Sequence, residues 1–224
     1  AYRHANEKVM EILLQKSADP NAKDNDGFSV LHYACHNEDK EKVEILLNAG
    51  ADPNVMDKEG LTFNELNTQY PLDNNRTLLH FAAMNLNSKF TGILLKKGAD
   101  CKIVDANGMS PLMIACRNGE GVDVVKVLID LSDLNTADNR GNTPLHFAAS
   151  CGHIKVIKEF LSRARDEAKK MLQSVNNAGR MPLELALENY HADCINLIFK
   201  HIPHSAILEA LVILPSLIFY FYFQ

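Results

Sequence analysis

Asp138-Asn139-Arg140-Gly141-Asn142-Thr143-Pro144-Leu145-His146-Phe147-Ala148-Ala149 recurs in degraded copies through the chain. Its glycine has counterparts at Gly27, Gly60, Gly108 and Gly179. The steps from Gly27 to Gly60 and from Gly108 to Gly141 are equal, and those from Gly60 to Gly108 and from Gly141 to Gly179 are longer. The spacing is a unit of about 33 residues, interrupted by one insertion of about 15 and one of about 5. A fixed period of this length marks an array in which one supersecondary unit buries its apolar face against the next copy.

The residue types specify the unit. Asp24, Asp57, Asp105 and Asp138 each stand three residues before a glycine, the spacing of an aspartate-initiated turn whose later position takes a positive φ. That predicts a hairpin-like finger. Thr143-Pro144 and Ser110-Pro111 predict helix starts, because the hydroxyl can satisfy an orphan N–H and proline fits the first helical position. The small pairs Ala148-Ala149, Ala82-Ala83, Ala34-Cys35 and Ala115-Cys116 keep this first helix thin where the second one packs. Leu46-Leu47 and Leu94-Leu95 end second helices, closed by Gly50 and Gly98. Ahead of the first finger, Val9, Ile12 and Leu13 lie at i, i+3, i+4 and predict an amphipathic helix over residues 6–16.

The pattern D-x-x-G-x-T-P-L-H-x-A-A, a V-x-x-L-L helix and then Gly-Ala-Asp-x-Asn resembles the ankyrin repeat over about residues 6–200. The resemblance implies an all-α solenoid of stacked helix-turn-helix units with β-hairpin-like fingers. The expected domain is 1–202, divided into a partial unit at 1–23 and units at 24–56, 57–104 (with the insertion 61–75), 105–137, 138–175 and 176–202. Because the first unit is only a second half, the stack is expected to begin with an exposed seam. The shorter insertion, around Arg163 to Leu172, predicts an extended second helix. Met181 and Glu184 stand where threonine and histidine are expected, which leaves the capping of that first helix open.

Residues 203–224 form a hydrophobic tail whose segment 206–223 contains one charge, Glu209. Three readings stand: a capping helix over 205–214 with a frayed end, a run not native to the fold, or a membrane span of roughly 27 Å. The chain opens on Ala1 instead of methionine, so its natural N-terminus is expected upstream. With 28 acidic against 23 basic residues and no basic block, the net charge of −5 excludes nucleic acid as a partner. Cys35, Cys101, Cys116, Cys151 and Cys194 are odd in number and form no C-x-x-C pair, reading as reduced thiols of an intracellular protein, cytoplasmic or nuclear.

No catalytic, cofactor or metal site is expected. His32, His80 and His146 share one repeat position, where the resemblance implies a buried hydrogen bond toward the threonine and the neighbouring finger. His32, Cys35 and His36 have zinc-compatible spacing but no second ligand pair nearby. Asn21, Asn54 and Asn135 occupy the position that the resemblance associates with asparagine hydroxylation.

The resemblance places a protein-binding groove on the finger tips and the free face of the first helices. Those positions are Asn25, Asp26, Phe28, His36, Asn37, Lys58, Glu59, Met84, Asn85, Asn107, Met109, Arg117, Asn118, Asn139, Arg140, Asn142, Ser150 and Cys151. Phe28 and Met109 read as apolar anchors at finger tips. Arg117 and Arg140 suit a partner that offers a carboxylate or an extended polar peptide. The expected function is a non-catalytic scaffold or adaptor binding another protein. The alternative is the cytoplasmic regulatory region of a membrane protein such as a channel, with 206–223 as its membrane part.

Overall fold

The computed structural model describes the backbone of residues 2–25, 27–37, 39–56, 75–119 and 122–203, with side chains from Asn6 onward. The expected insertion (apart from Asn75) and the hydrophobic tail (apart from Pro203) lie outside these residues. The chain clusters into two compact units divided between Asn107 and Gly108. Among the described residues the regular structure is helical, with isolated antiparallel bridges at Lys23–Ser29 and Met56–Thr77 marking finger bases.

The first unit contains α1 (Tyr2–Gln15), α2 (Val30–His36), α3 (Lys40–Asn48), α4 (Leu78–Met84) and α5 (Ser88–Lys96). α2 pairs with α3 and α4 with α5, while α1 packs along α3. The core comes from the apolar positions read in the sequence: Leu31, Val43, Leu46, Leu79, Ala83 and Leu94 are all essentially inaccessible. A ladder of asparagines joins successive loops. Asn21 Nδ2 donates to the Gly50 carbonyl (3.2 Å) and Asn21 Oδ1 accepts from Asp52 N–H (2.7 Å). Asn54 repeats this with Gly98 O (3.3 Å) and Asp100 N–H (2.6 Å). Arg76 and Asp105, both buried, form an ion pair (Nε–Oδ2 3.5 Å), and Arg76 Nη1 also meets Met84 Sδ at 3.2 Å.

The second unit contains α6 (Pro111–Asn118), α7 (Val122–Leu128), α8 (Pro144–Ser150), α9 (Ile154–Arg163), α10 (Arg165–Met171), α11 (Pro182–Glu188) and α12 (Ala192–Phe199). First helices α6, α8 and α11 stack on one another, and each second helix closes its own pair. The residues around Arg163 to Leu172 do not extend α9. The chain turns at Ala164 and starts a separate helix, α10, which buries Ala168, Met171 and Leu172. Arg163 holds this corner through Glu159, Asp130 Oδ2 (2.6 Å) and the Lys126 carbonyl (3.2 Å). Asn135 consequently leaves the loop ladder, and its Nδ2 donates to Glu167 Oε1 at 2.7 Å.

The helix starts use the expected residues in an unexpected sense. Thr143 N–H donates to His146 Nδ1 (3.1 Å), with Oγ1 2.9 Å from the same nitrogen, so the histidine caps the threonine. Because a backbone N–H can only donate, Nδ1 is the bare nitrogen and Nε2–H donates across to the Arg180 carbonyl (3.0 Å). Ser29–His32 and Thr77–His80 repeat the local half of this arrangement. Where Met113 replaces the histidine, Ser110 Oγ accepts Met113 N–H at 3.3 Å. In the last copy Glu184 takes the histidine's place, Oε2 accepting Met181 N–H at 2.7 Å while Arg180 stands 3.5 Å from Oε1. The cap therefore persists with a carboxylate.

Candidate protein-binding surface

Each finger is a turn whose hydrogen bonds are spent internally. In the second unit, Asp138 Oδ1 accepts the N–H groups of Arg140 (2.9 Å) and Asn142 (2.7 Å), and Gly141 N–H bonds the Asp138 carbonyl (2.9 Å). Asn176 builds the next finger likewise, accepting from Ala178 and Arg180 N–H at 3.0 Å. The fingers are tied together by Asn177 N–H to Arg140 O (2.9 Å), Asn177 Nδ2 to Asn139 O (3.1 Å) and Asn176 Nδ2 to Asn142 Oδ1 (2.8 Å). Backbone groups at the tip are thus engaged, and Asn139 and Arg140 are exposed there.

This geometry corrects the anchors. Phe28 and Met109 are 4% and 5% exposed, core residues instead of tip residues. The position after the finger glycine lies on the returning arm, where Phe28 is paired with Asp24 through Asp24 N–H to Phe28 O and Phe28 N–H to Asp24 Oδ1, both 2.9 Å. Its ring turns inward, edge-on to His32 (centroids 5.5 Å) and Tyr33 (6.0 Å). Met109 likewise folds back under Arg117, with Nη1 to Sδ at 3.6 Å. Asn142, the same register position in the next copy, is half-buried with Nδ2 on Asp138 Oδ2 at 3.2 Å. The true tip is the pair of residues between aspartate and glycine.

The remaining candidates sort by unit. In the first, Asn25, His36, Asn37 and Asn85 are exposed, whereas Met84 and Asn107 are half-buried. In the second, Asn139 and Arg140 are exposed, and Arg117, Asn118, Ser150 and Cys151 are half-buried along the ends of α6 and α8. Asp26, Lys58 and Glu59 lie outside the described residues.

The sequence reading missed what fixes the helix ends. His153 Nε2 bonds the Arg117 carbonyl (2.8 Å) and His191 Nε2 bonds the Ser150 carbonyl (2.9 Å), each reaching back to the preceding copy. Gly119 shows why this needs a missing side chain: a Cβ there would sit 1.9 Å from the His153 ring. The candidate surface also continues onto Arg180, Glu188 and Asn189. Arg180 Nε pairs with Glu188 Oε1 at 3.1 Å, and Asn189 Nδ2 approaches Ser150 Oγ at 3.4 Å. Repeat register was the available signal, since Glu188 and Asn189 occupy the positions of Arg117 and Asn118.

The electrostatics favour structure over reactivity. Burial, with Lys23 assisting and Asp24 opposing, lowers His32 to about 4, and burial lowers His146 as well. Burial pushes the Cys35 thiol up to about 12 and raises Cys151, keeping both protonated at neutral pH. Of the zinc-like set His32, Cys35 and His36, His32 Nδ1 accepts Ser29 N–H (3.0 Å), Cys35 is half-buried and His36 is exposed. Among the described residues, Glu7, Asp39 and Glu41 bring carboxylate oxygens within 4.8 Å of one another. Asp39 there is engaged by Lys42, through N–H to Oδ1 (3.3 Å) and Nζ to Oδ2 (2.6 Å).

Paired helices, inward histidine caps and aspartate-built fingers define a helical repeat protein whose recurring chemistry is structural. The chain belongs to the ankyrin repeat family: the family description "ankyrin repeats (3 copies)" matches residues 1–57, 59–138 and 121–207. It is similar to human ankyrin repeat domain-containing protein 63, 38% identical over 87 residues, covering 38% of this chain and 22% of that protein. Human transient receptor potential cation channel subfamily A member 1 is 32% identical over 91 residues, covering 41% of this chain and 8% of the channel. Ankyrin repeat and KH domain-containing protein mask-1 of Caenorhabditis elegans is 33% identical over 112 residues, covering 46% of this chain and 4% of that protein. The matched segments span less than a quarter of these relatives. Ankyrin repeats are generally non-catalytic modules for protein–protein interaction.

Proposed function

We propose that this chain is an intracellular, non-catalytic scaffold or adaptor that binds another protein through the exposed finger tips and first-helix ends of its repeats. The observation that supports this most is the Asp138–Asn142 finger. Its backbone donors and acceptors are used by neighbouring residues, so the turn is held rigid while Asn139 and Arg140 stay exposed at its tip. A surface ordered before binding loses little further entropy on association. The Arg140 guanidinium makes no ion pair among the described residues and suits bidentate pairing with a carboxylate. Asn139 beside it, with half-buried Arg117, Asn118 and Ser150, favours a polar, extended, acidic peptide. The relatives carry very different names, so the match does not select a whole-protein role. The channel-like alternative rests on residues 206–223, outside the described residues; no helix among the described residues is long and apolar enough to cross a membrane.

Phage-displayed peptides selected on the wild-type chain provide the test. Recovered acidic peptides should bind the Asn139→Ala, Arg140→Glu double variant at least about tenfold more weakly, the loss of one charge-assisted contact, with an unaltered melting curve. Equal binding to both proteins would sink the assignment.

A further inference from the structure

In the second unit the turn between paired helices passes through a residue of positive φ in each copy: Gly119 (+60°), Gly152 (+76°) and Tyr190 (+59°). Glycine meets that demand without a Cβ penalty. At Gly119 and Gly152 the space a Cβ would take is also filled by His153 and His191 of the following copy. A tyrosine in the left-handed region carries backbone strain instead. Leu86, at the same turn of the first unit (φ +54°), is half-buried, so its side chain gains cover in return. Tyr190 gains none: it is 83% exposed, and its hydroxyl makes no hydrogen bond among the described residues.

The residues on either side hold the strained turn in place. Asn189 Nδ2 donates to Ser150 Oγ (3.4 Å) and His191 Nε2 bonds the Ser150 carbonyl (2.9 Å), so both neighbours of Tyr190 are tied to the end of α8. Tyr190 N–H bonds the Leu187 carbonyl, and the Tyr190 carbonyl accepts Ala192 N–H, both at 3.1 Å. The ring therefore stands in solvent on a backbone whose polar groups are all engaged. Strain of this kind persists where the surrounding structure over-determines it, and it clusters at ligand-binding positions.

The charge beside the ring is negative. Glu188 precedes it by two residues, and Asp193 follows it by three in the first turn of α12; both are exposed. The guanidinium already present, Arg180, is matched by Glu184 (3.5 Å) and Glu188 (3.1 Å), whereas the Asp193 carboxylate makes no ion pair among the described residues. An aromatic face near an unpaired carboxylate suits a guanidinium, which stacks on the ring while its N–H groups meet the carboxylate.

We propose that Tyr190 and Asp193 form a subsite for an arginine side chain of a protein partner, with the ring as the anchor that Phe28 and Met109 do not supply. The subsite adds one arginine to the acidic peptide read above, and it stands or falls independently of the contact at Arg140.

Peptides displayed on phage and selected on the wild-type chain, then measured against Tyr190→Gly, test it. Glycine relieves the turn, so this variant should melt about 2 °C or more above wild type. The recovered peptides should bind it at least about tenfold more weakly. A gain in stability beside a loss of binding cannot come from misfolding. The peptides should share an arginine whose replacement by alanine weakens binding to wild type by a similar factor and costs nothing further on Tyr190→Gly. Asp193→Asn should weaken the same peptides at least about threefold. Equal binding to wild type and Tyr190→Gly, peptides without a common arginine, no peptide recovered, or a melting temperature that does not rise each overturns the subsite. A loss at Tyr190→Gly with none at the Asn139→Ala, Arg140→Glu double variant would remove the finger-tip reading and keep this one, and the reverse would do the opposite.

Discussion

Gly141→Ala and Gly179→Ala together separate backbone conformation from inter-finger packing. Both glycines occupy the same finger position, at φ +77° and +72°, where any side chain is strained by roughly 1–2 kcal/mol. They differ in what a Cβ would meet. At Gly179 no heavy atom of the described residues lies within 4 Å of a Cβ, whereas at Gly141 the Cβ would sit 2.5 Å from Asn177 Oδ1 and 2.7 Å from the Asn177 backbone nitrogen. Relief requires Asn177 to move, and Asn177 makes two of the three bonds that tie the fingers, to Arg140 O (2.9 Å) and Asn139 O (3.1 Å). At about 1 kcal/mol for each lost bond, Gly141→Ala should cost about 3–4 kcal/mol against about 1–2 for Gly179→Ala. For a chain of this size those values correspond to drops in Tm of about 6–16 °C and about 2–8 °C. Calorimetric melting and urea titration of the two variants measure the difference. Equal losses, or a larger loss at Gly179, would refute the claim that adjacent fingers are locked through Asn177.

Two further outcomes follow from burial. Phe28→Ala should destabilise the chain by about 3–5 kcal/mol by emptying the space against His32 and Tyr33; an unchanged urea midpoint would restore Phe28 as a surface anchor. His32 is held neutral in the fold, lowered to about 4 from 6.5 by burial, so its folded pKa lies below its unfolded one. Its contribution to stability is complete above pH 6.5 and is lost as pH falls from there to about 4, roughly 3 kcal/mol in all. NMR titration of the His32 ring should show it neutral down to about pH 5, and a midpoint near 6.5 would contradict the buried, capping ring.

The sequence was most legible where one residue type answers one backbone demand. The aspartate–glycine spacing of the fingers, the small pairs of the first helices and the local bond of the shared histidine position have the predicted roles in the described residues, because each requirement is local and repeats every period. The histidine's bond to the neighbouring finger is made by His146 but not by His32, whose Nε2 has no partner among the described residues. Legibility failed at two kinds of position. Phe28 and Met109 were read one place too far toward the tip, since apolar character alone does not say which arm of a turn faces the helices. The residues around Arg163 to Leu172 have a helical pattern, but the chain breaks at Ala164, where Arg163 bonds Asp130 and the Lys126 carbonyl on the preceding copy and α10 buries Ala168 and Met171, contacts the local pattern does not carry.

By itself, then, the sequence determined the repeat, its finger turns and the places where its first helices start, because these are set by contacts within a few residues of one another. Only the tertiary structure decided which side chains stay exposed. Arg140 projects from a turn whose backbone is already satisfied, Phe28 is sealed inside, and Leu13, identical in pattern to buried Leu46, stands exposed. Exposure is a property of the neighbouring copy, and a neighbour one full repeat away leaves no mark on the local pattern.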